Sequence, residues 1–144
     1  MFDTNVVLDL LLAREPHARD AALAIDAAER GVVEGYVSAH AVTTVFYIVR
    51  KARAAEGAVR PSDDAYAAIR SLMDILHVAP ITKAEVLAAI ATAVPDFEDG
   101  ITAEAAKACS AEAVVTRDKT GFDGTGMRTA TPRALLSGLT GSDP

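Results

Sequence analysis

Short segments rich in β-branched residues alternate with longer segments rich in alanine along this chain. The β-rich segments cover residues 32–38, 77–81, 113–116 and 129–130, and apolar side chains between the first three have helical spacing. Strands joined through helices run parallel in one sheet, because the crossover returns the chain to the edge where it started. The alternation therefore predicts an α/β sandwich with a short, mostly parallel central sheet.

Seven helices are predicted from apolar periodicity and from residues that prefer helix ends. They cover residues 6–13, 18–30, 39–55, 62–75, 83–93, 95–110 and 132–139. The residues expected at helix ends are Pro16, Gly31, Ser38, Ser62, Asp63 and Thr82, the last in a Thr-Lys-Ala-Glu capping box.

A chain of 144 residues is expected to form one domain, here residues 1–140 with a loose tail at 141–144. Its apolar runs are shorter than the roughly 20 residues of a membrane-spanning helix, and no basic segment precedes an apolar one at the N-terminus. We therefore expect neither a membrane span nor a signal peptide. Cys109 is the single cysteine, which excludes an internal disulfide and fits the reducing cytoplasm.

The net charge of −6 argues against binding of nucleic acid through a broad basic face. It is compatible with an enzyme that bridges phosphates through a divalent cation, because a carboxylate cluster is itself a source of negative charge. The three histidines His17, His40 and His77 lack the spacing of a zinc site.

The N-terminal stretch MFDTNVVLDLLL admits two interpretations of Asp3. Asp, Thr and Asn are good helix N-caps, so Asp3 could simply begin the apolar helix that follows. Alternatively, Asp3 is a carboxylate presented at the end of a very short first strand, Met1 and Phe2.

Further carboxylates are expected at the same edge of the sheet, because ligands of open α/β folds bind beyond the carboxyl ends of the strands. Asp118 follows the 113–116 strand, and Asp96 and Asp99 share one side of a helical turn in PDFEDGI. No basic residue is evidently placed to neutralise them, apart from the two neighbours of Asp118, Arg117 and Lys119. Mg²⁺ or Mn²⁺ prefers such oxygen ligands.

Three motifs in this order resemble the PIN domain, a family of small metal-dependent ribonucleases that includes VapC-type toxins of toxin–antitoxin pairs. The motifs are DTN with its apolar helix, PDFEDGITAEAA, and VVTRDKTGF, and the similarity extends to the closing TPRALL. The resemblance implies a three-layer α/β/α sandwich. It also implies hydrolysis of single-stranded RNA by a water activated by Mg²⁺ or Mn²⁺, without a covalent enzyme intermediate.

The resemblance assigns metal coordination and catalysis to Asp3, Asp99 and Asp118. Asn5 matches the family's asparagine that supports the first aspartate by hydrogen bonding. Asp96 and Glu98 belong to the Asp-Phe-Glu-Asp variant of one subgroup and are expected to contribute through water.

The chain departs from the family pattern at the second acidic position. Family members carry a glutamate on the helix after the second strand, and here that position falls on Thr44 or Thr43. A threonine offers a hydroxyl without charge, so the site has three strong carboxylates rather than four.

Two arginines close in sequence to the carboxylates, Arg14 and Arg117, are expected to guide the RNA phosphates. Arg50, Lys51 and Arg53 could also contact RNA, although basic residues at a helix C-terminus are commonly just solvated. The resemblance further implies an antitoxin partner and, together with the apolar helix content, a homodimer, and the single cysteine leads us to expect a cytoplasmic location.

Two other functions remain open from the sequence. One is a PIN-like binding module with weak or no nuclease activity that acts through a protein partner. The other is aspartyl phosphotransfer with Asp3 as nucleophile and Lys119 as the phosphate-binding cation, which is disfavoured because residue 5 is Asn rather than Asp.

Overall fold

The computed structural model describes residues 1–140, and the tail expected at 141–144 lies outside the described residues. The strands are β1 (Tyr36–Ser38), β2 (His77–Ala79), β3 (Val114–Val115) and β4 (Thr129–Ala130). The helices are α1 (Thr4–Leu11), α2 (Ala18–Glu29), α3 (Ala39–Ala55), α4 (Pro61–Met73), α5 (Lys83–Thr92), α6 (Phe97–Ala108) and α7 (Pro132–Thr140), with a 3₁₀ turn at Thr120–Phe122. Within this described part, none of the helices combines the length and the apolar character needed to cross a bilayer.

The strands are joined into one parallel arrangement through Phe2. β1 pairs with β2 and β3 with β4, both in parallel. Phe2 lies between the two pairs as a parallel bridge to Val37 and to Val115. Its N–H donates to the carbonyl of Tyr36 at 2.7 Å, and the N–H of Asp3 donates to the carbonyl of Val115 at 3.0 Å. The strand order is therefore β2–β1–Phe2–β3–β4, and the first strand is as short as the sequence predicts.

Helices cover both faces of this sheet. Successive strand residues point to opposite faces, and apolar side chains on each face pack against a different set of helices. Phe2 and Val115 pack with the buried residues of α1 to α4, whereas Met1 and Val114 pack with those of α6. α5 packs on α6. The α/β sandwich with helices on both faces of a short parallel sheet is confirmed.

The first three predicted strands are longer than β1, β2 and β3, whereas the predicted strand 129–130 coincides with β4. β1 begins only at Tyr36, because the N–H groups of Val32 and Val33 both donate to the carbonyl of Ala27 and close the end of α2. β2 ends at Ala79 because Pro80 has no N–H to continue the ladder.

Several predicted helix boundaries are confirmed. Thr82 caps α5 in a reciprocal capping box with Glu85, and Gly31 follows α2 with a positive φ of 70°, which glycine adopts without strain. α2 begins at Ala18, two residues after Pro16.

Two predicted side-chain caps are wrong. Ser38 occupies the N-cap position of α3, but its hydroxyl pairs with Nδ1 of His40 at 3.0 Å instead of with the helix backbone. α4 begins one residue earlier than predicted, at Pro61, so both predicted cap residues lie inside the helix. Asp63 pairs there with the guanidinium of Arg60.

Candidate metal-binding cleft

A small cleft opens at the carboxyl end of the central strands, with a volume of about 270 Å³. We call it the acidic cleft. It is lined by Asp3, Thr4, Asn5, Leu8, Arg14, Thr44, Ile48, Asp96, Glu98, Asp99 and Asp118. Five of these side chains are carboxylates and one is an arginine, so the lining has a large excess of negative charge.

Asp3 is buried at the N-terminus of α1, with 5% of its surface exposed. Its Oδ1 accepts the N–H of Thr4, and its Oδ2 accepts the amide of Asn5 and the hydroxyl of Thr116, each at 2.7 Å. Burial raises the pKa of Asp3 above its ordinary value, two neighbouring carboxylates add to the rise, and the Thr116 and Thr4 hydrogen bonds oppose it. Both interpretations of Asp3 therefore hold, since it caps α1 and is also a carboxylate at the end of the central strand.

Asp99 lies in the first turn of α6. It is close to the other carboxylates of the cleft and, in the described part of the chain, is not paired with a positively charged group. Within residues 1–140 no hydrogen bond or ion pair reaches its carboxylate. Burial, and then the nearby charges of Asp3, Asp96 and Asp118, raise the pKa of Asp99 to about 7. A Cβ built on Gly121 would collide with Oδ2 of Asp99, so the 3₁₀ turn can lie against this carboxylate only because residue 121 is glycine.

The other two carboxylates of the α6 N-terminus have local partners. Oδ1 of Asp96 caps α6 by accepting the N–H of Glu98 at 2.9 Å. Oε1 of Glu98 accepts the hydroxyl of Thr4 at 3.2 Å and lies 3.5 Å from Nε2 of His40. Asp96 and Glu98 both line the cleft, and each already has a hydrogen-bond partner within the fold.

Asp118 faces the cleft from the loop after β3, but its carboxylate is turned toward its own loop. Oδ1 accepts the hydroxyl of Thr120 at 2.7 Å and the N–H of the same residue at 3.2 Å. These hydrogen bonds, with the N–H of Gly121, hold the pKa of Asp118 below its usual range. One of the three predicted metal ligands is thus partly committed elsewhere.

The donors of the acidic cleft fit a hard divalent cation by their chemistry, although they do not form a closed cage. Across residues 1–140, no three His, Cys, Asp or Glu side chains are grouped closely enough to hold one ion. Mg²⁺ usually keeps several waters and is bound through one or two carboxylates. The unpartnered carboxylate of Asp99, with its strongly raised pKa, is the group that a cation would stabilise most.

The two candidate threonines of the second acidic position have different surroundings. Thr44 lines the acidic cleft, whereas the hydroxyl of Thr43 donates to the carbonyl of His40 within α3. Thr44 therefore stands where a fourth carboxylate would be expected.

The structure separates the two arginines predicted to bind substrate. Arg14 lines the cleft and has no ion pair within residues 1–140. Arg117 is not among the lining residues, and its Nε lies 3.2 Å from Oδ2 of the buried Asp9. Lys119, the cation of the phosphotransfer alternative, is also outside the lining, and both oxygens of Asp3 are hydrogen-bonded.

Sequence reasoning missed three residues that shape the site: Asp9, Thr116 and Gly121. A signal existed for Asp9, because it lies four residues after Asn5 on the same face of α1. Thr116 ends the predicted strand, where a hydroxyl reaches the same sheet edge as Asp3. The packing of Gly121 against Asp99 depends on tertiary contact, which no local pattern reports.

A second, larger cavity of about 720 Å³ lies around Met1, Cys109 and Arg128. Its lining contains none of the residues predicted for catalysis, metal binding or substrate binding. The predicted site residues therefore point to the smaller cleft.

Comparison with known protein families identifies the chain. The family model of the PIN domain matches residues 1–120. No curated protein and no solved structure matches the chain. The matched segment contains the whole acidic cleft and the sheet residues from Phe2 to β3 that position it. The chain belongs to the PIN domain family, whose fold is of the nuclease type.

Proposed function

We propose that this PIN domain is a Mg²⁺- or Mn²⁺-dependent ribonuclease that hydrolyses phosphodiester bonds of single-stranded RNA. The observation that carries the proposal is the acidic cleft, where five carboxylates face one arginine. An RNA phosphate entering this cleft would be repelled unless a cation lay between the two negative partners. A divalent cation, when bound, supplies an activated water and positive charge at the scissile phosphate.

The chain's own residues have distinct roles in this proposal. Asp3 and Asp99 would hold the cation, with Asp118 as a further ligand once its carboxylate turns from Thr120. Asn5 donates to Oδ2 of Asp3 and keeps that carboxylate in one orientation. The pKa of Asp99 is raised to about 7, so a proton competes with the cation for this carboxylate near neutral pH and must leave before the oxygen can ligate.

Arg14 is the residue we assign to the substrate phosphate. It lines the cleft and lacks an ionic partner in the described part of the chain. A guanidinium beside a carboxylate-bound cation can hold a phosphate that neighbours the scissile one.

A biological role as the toxin of a type II toxin–antitoxin pair is part of the proposal and rests on the resemblance of the three motifs to VapC-type proteins. It includes a cognate antitoxin protein, a homodimer and a cytoplasmic location. Induced expression of the chain should arrest growth, and co-expression of a small neighbouring gene product should restore it.

The nuclease proposal is tested by incubating the protein with a fluorophore-labelled, unstructured RNA. We expect cleavage with Mn²⁺ and none with EDTA. In Asp99→Asn the cleavage rate should fall about hundredfold or more, because that variant removes a carboxylate that has no partner within residues 1–140 and is left to bind the cation. Asp123→Asn is the matched control, since Asp123 is an exposed acid of the neighbouring loop outside the cleft lining. Cleavage that survives both EDTA and Asp99→Asn would contradict the mechanism.

A PIN-like binding module that acts through a protein partner is the second candidate. It is favoured by Thr44, which replaces a carboxylate in the cleft, and by the absence of a three-ligand group within residues 1–140. Absence of cleavage at saturating Mn²⁺, together with no thermal shift on adding metal, would support this candidate instead.

A further inference from the structure

Asp9 is a buried carboxylate outside the acidic cleft, held by a single cation. Its side chain is 2% exposed, and its Oδ2 lies 3.2 Å from Nε of Arg117. Its Oδ1 is buried and has no hydrogen-bond partner among residues 1–140. Burying an aspartate with only one of its oxygens paired costs stability, so a contribution to stability does not by itself explain why the ion pair is present.

The ion pair is one of two contacts that α1 makes with residue 117. Asn5 and Asp9 are four residues apart on α1 and therefore share one face of that helix. The Oδ1 of Asn5 accepts the N–H of Arg117 at 3.4 Å, and Asp9 takes the guanidinium. Residue 117 is thus held at its backbone and at the far end of its side chain.

The residue fixed in this way stands between two groups of the site. Thr116, before it, donates to Oδ2 of Asp3 at 2.7 Å. Asp118, after it, is the cleft carboxylate of the same loop, and its N–H donates to the hydroxyl of Thr116 at 3.0 Å. A movement of Arg117 would therefore displace both the support of Asp3 and the carboxylate of Asp118.

We propose that Asp9 is a positioning residue whose ion pair with Arg117 locks residues 116–122 against α1 and so places Asp118 at the cleft. The guanidinium of Arg117 then serves the fold as an anchor, and Arg14 remains the arginine for substrate. The proposal rests on the proposed function only where it gives residues 116–122 a use in catalysis. The fixed position of this loop is a property of the metal-free protein.

The experiment separates positioning from simple stabilisation by removing the ion pair in two ways. Asp9→Asn breaks the pair and leaves the buried shape nearly unchanged. Asp9→Leu combined with Arg117→Met replaces both charges by apolar groups, and such replacements often restore stability. Hydrogen exchange of the backbone amides in residues 116–122 is measured without metal and compared with exchange in α6. Urea unfolding of each variant gives the global stability.

Positioning predicts that residues 116–122 exchange about tenfold or more faster than in the wild type, relative to α6, in both variants. In the double variant this loss persists although the urea midpoint returns toward the wild-type value. Asp26→Asn, which removes an exposed ion pair with Arg30, should leave the exchange of residues 116–122 unchanged. If the double variant does not fold, the Asp9→Asn comparison with α6 decides alone.

Two results would overturn the proposal: exchange in residues 116–122 that changes only in step with α6, or wild-type protection of that loop in the double variant. A Mn²⁺ titration of the same variants then tests the link to function. We expect affinity about tenfold weaker in both, and wild-type affinity in a variant with a loosened loop would overturn the link. If the wild type itself binds no Mn²⁺, the proposed function fails, while the exchange data still decide the role of Asp9.

Discussion

Two places on α1 treat a buried carboxylate in opposite ways. At the start of the helix, Asp3 and its neighbour Asp99 face further carboxylates, and their pKa values are raised. Six residues later, Asp9 is as deeply buried as Asp3, but its Oδ2 lies 3.2 Å from Nε of Arg117. The chain therefore supplies a cation where the carboxylate serves the fold and leaves it out at the cleft.

The difference teaches that the acidic cleft is not simply a tolerated surface feature. Like charges gathered in a partly buried place cost stability, and a chain under no functional demand could relieve them with one basic residue, as it does at Asp9. An uncompensated cluster is typical of a site where the compensating charge arrives from solution.

The largest expected effect comes from removing the cation that pairs with Asp9. Arg117→Met leaves the buried carboxylate of Asp9 without its cation, and we expect a loss of about 3 kcal/mol in the free energy of unfolding. Urea denaturation measures it. Asp26→Asn is the control, because the exposed Asp26–Arg30 pair is worth about 0.5 kcal/mol or less. A loss for Arg117→Met no larger than that of the control would refute the distinction.

The next largest effect concerns the unpaired carboxylate of Asp99 in the acidic cleft. In Gly121→Ala the new Cβ would collide with Oδ2 of Asp99, so the carboxylate must move from its place in the cleft. We expect Mn²⁺ affinity to fall about tenfold, with a small change in stability because the φ of residue 121 is not positive. Gly138→Ala, where a Cβ meets nothing within 4 Å, should leave the affinity unchanged, and equal affinities for all three proteins would count against the cleft as the site.

A smaller effect follows from the pKa of Asp99. Because the folded-state pKa is about 7 against a model value of 3.8, the folded protein binds this proton more tightly, and stability is lost as the pH rises from about 4 through 7. Without metal, Asp99→Asn should therefore be more stable than the wild type at pH 8, by about 1–2 kcal/mol after allowance for partial exposure. The gap should close below pH 4. Parallel stability curves for the two proteins between pH 4 and 8 would show that Asp99 titrates normally.

The smallest effect concerns Arg14, the arginine at the cleft. Arg14→Gln should weaken RNA binding about threefold to tenfold and reduce its salt dependence, because one phosphate contact is lost. Filter binding in Ca²⁺ or with the Asp99→Asn variant measures this without cleavage. Arg30 forms an exposed ion pair and is not among the residues that line the cleft, so an equal loss for Arg30→Gln would mean that only net charge matters.

The order of strands and helices could be predicted from the sequence, because apolar periodicity and short β-branched runs are local signals. The strand lengths could not, since Val32 and Val33 look like strand residues but complete the end of α2. Ser38 shows the same limit, as its hydroxyl had a competing partner two residues away in His40.

At the site, Asp3 and Asp118 could be placed on one edge of the sheet from their relation to strand ends, and Asp99 was expected there from the helical turn in PDFEDGI. The differences between their pKa values could not be predicted, because the pKa of Asp99 depends on burial and on charges from three segments of the chain. The partner of Arg117 was equally beyond local reasoning, since Asp9 is 108 positions away and meets it only in the folded chain.

Isothermal titration of Mn²⁺ into the protein at pH 8 tests most directly whether the acidic cleft takes its missing positive charge from a divalent cation. We expect saturable binding in the wild type, affinity at least about tenfold weaker in Asp99→Asn, and wild-type affinity in Asp123→Asn. Absence of binding in the wild type, or undiminished binding in Asp99→Asn, would contradict the metal-centre assignment.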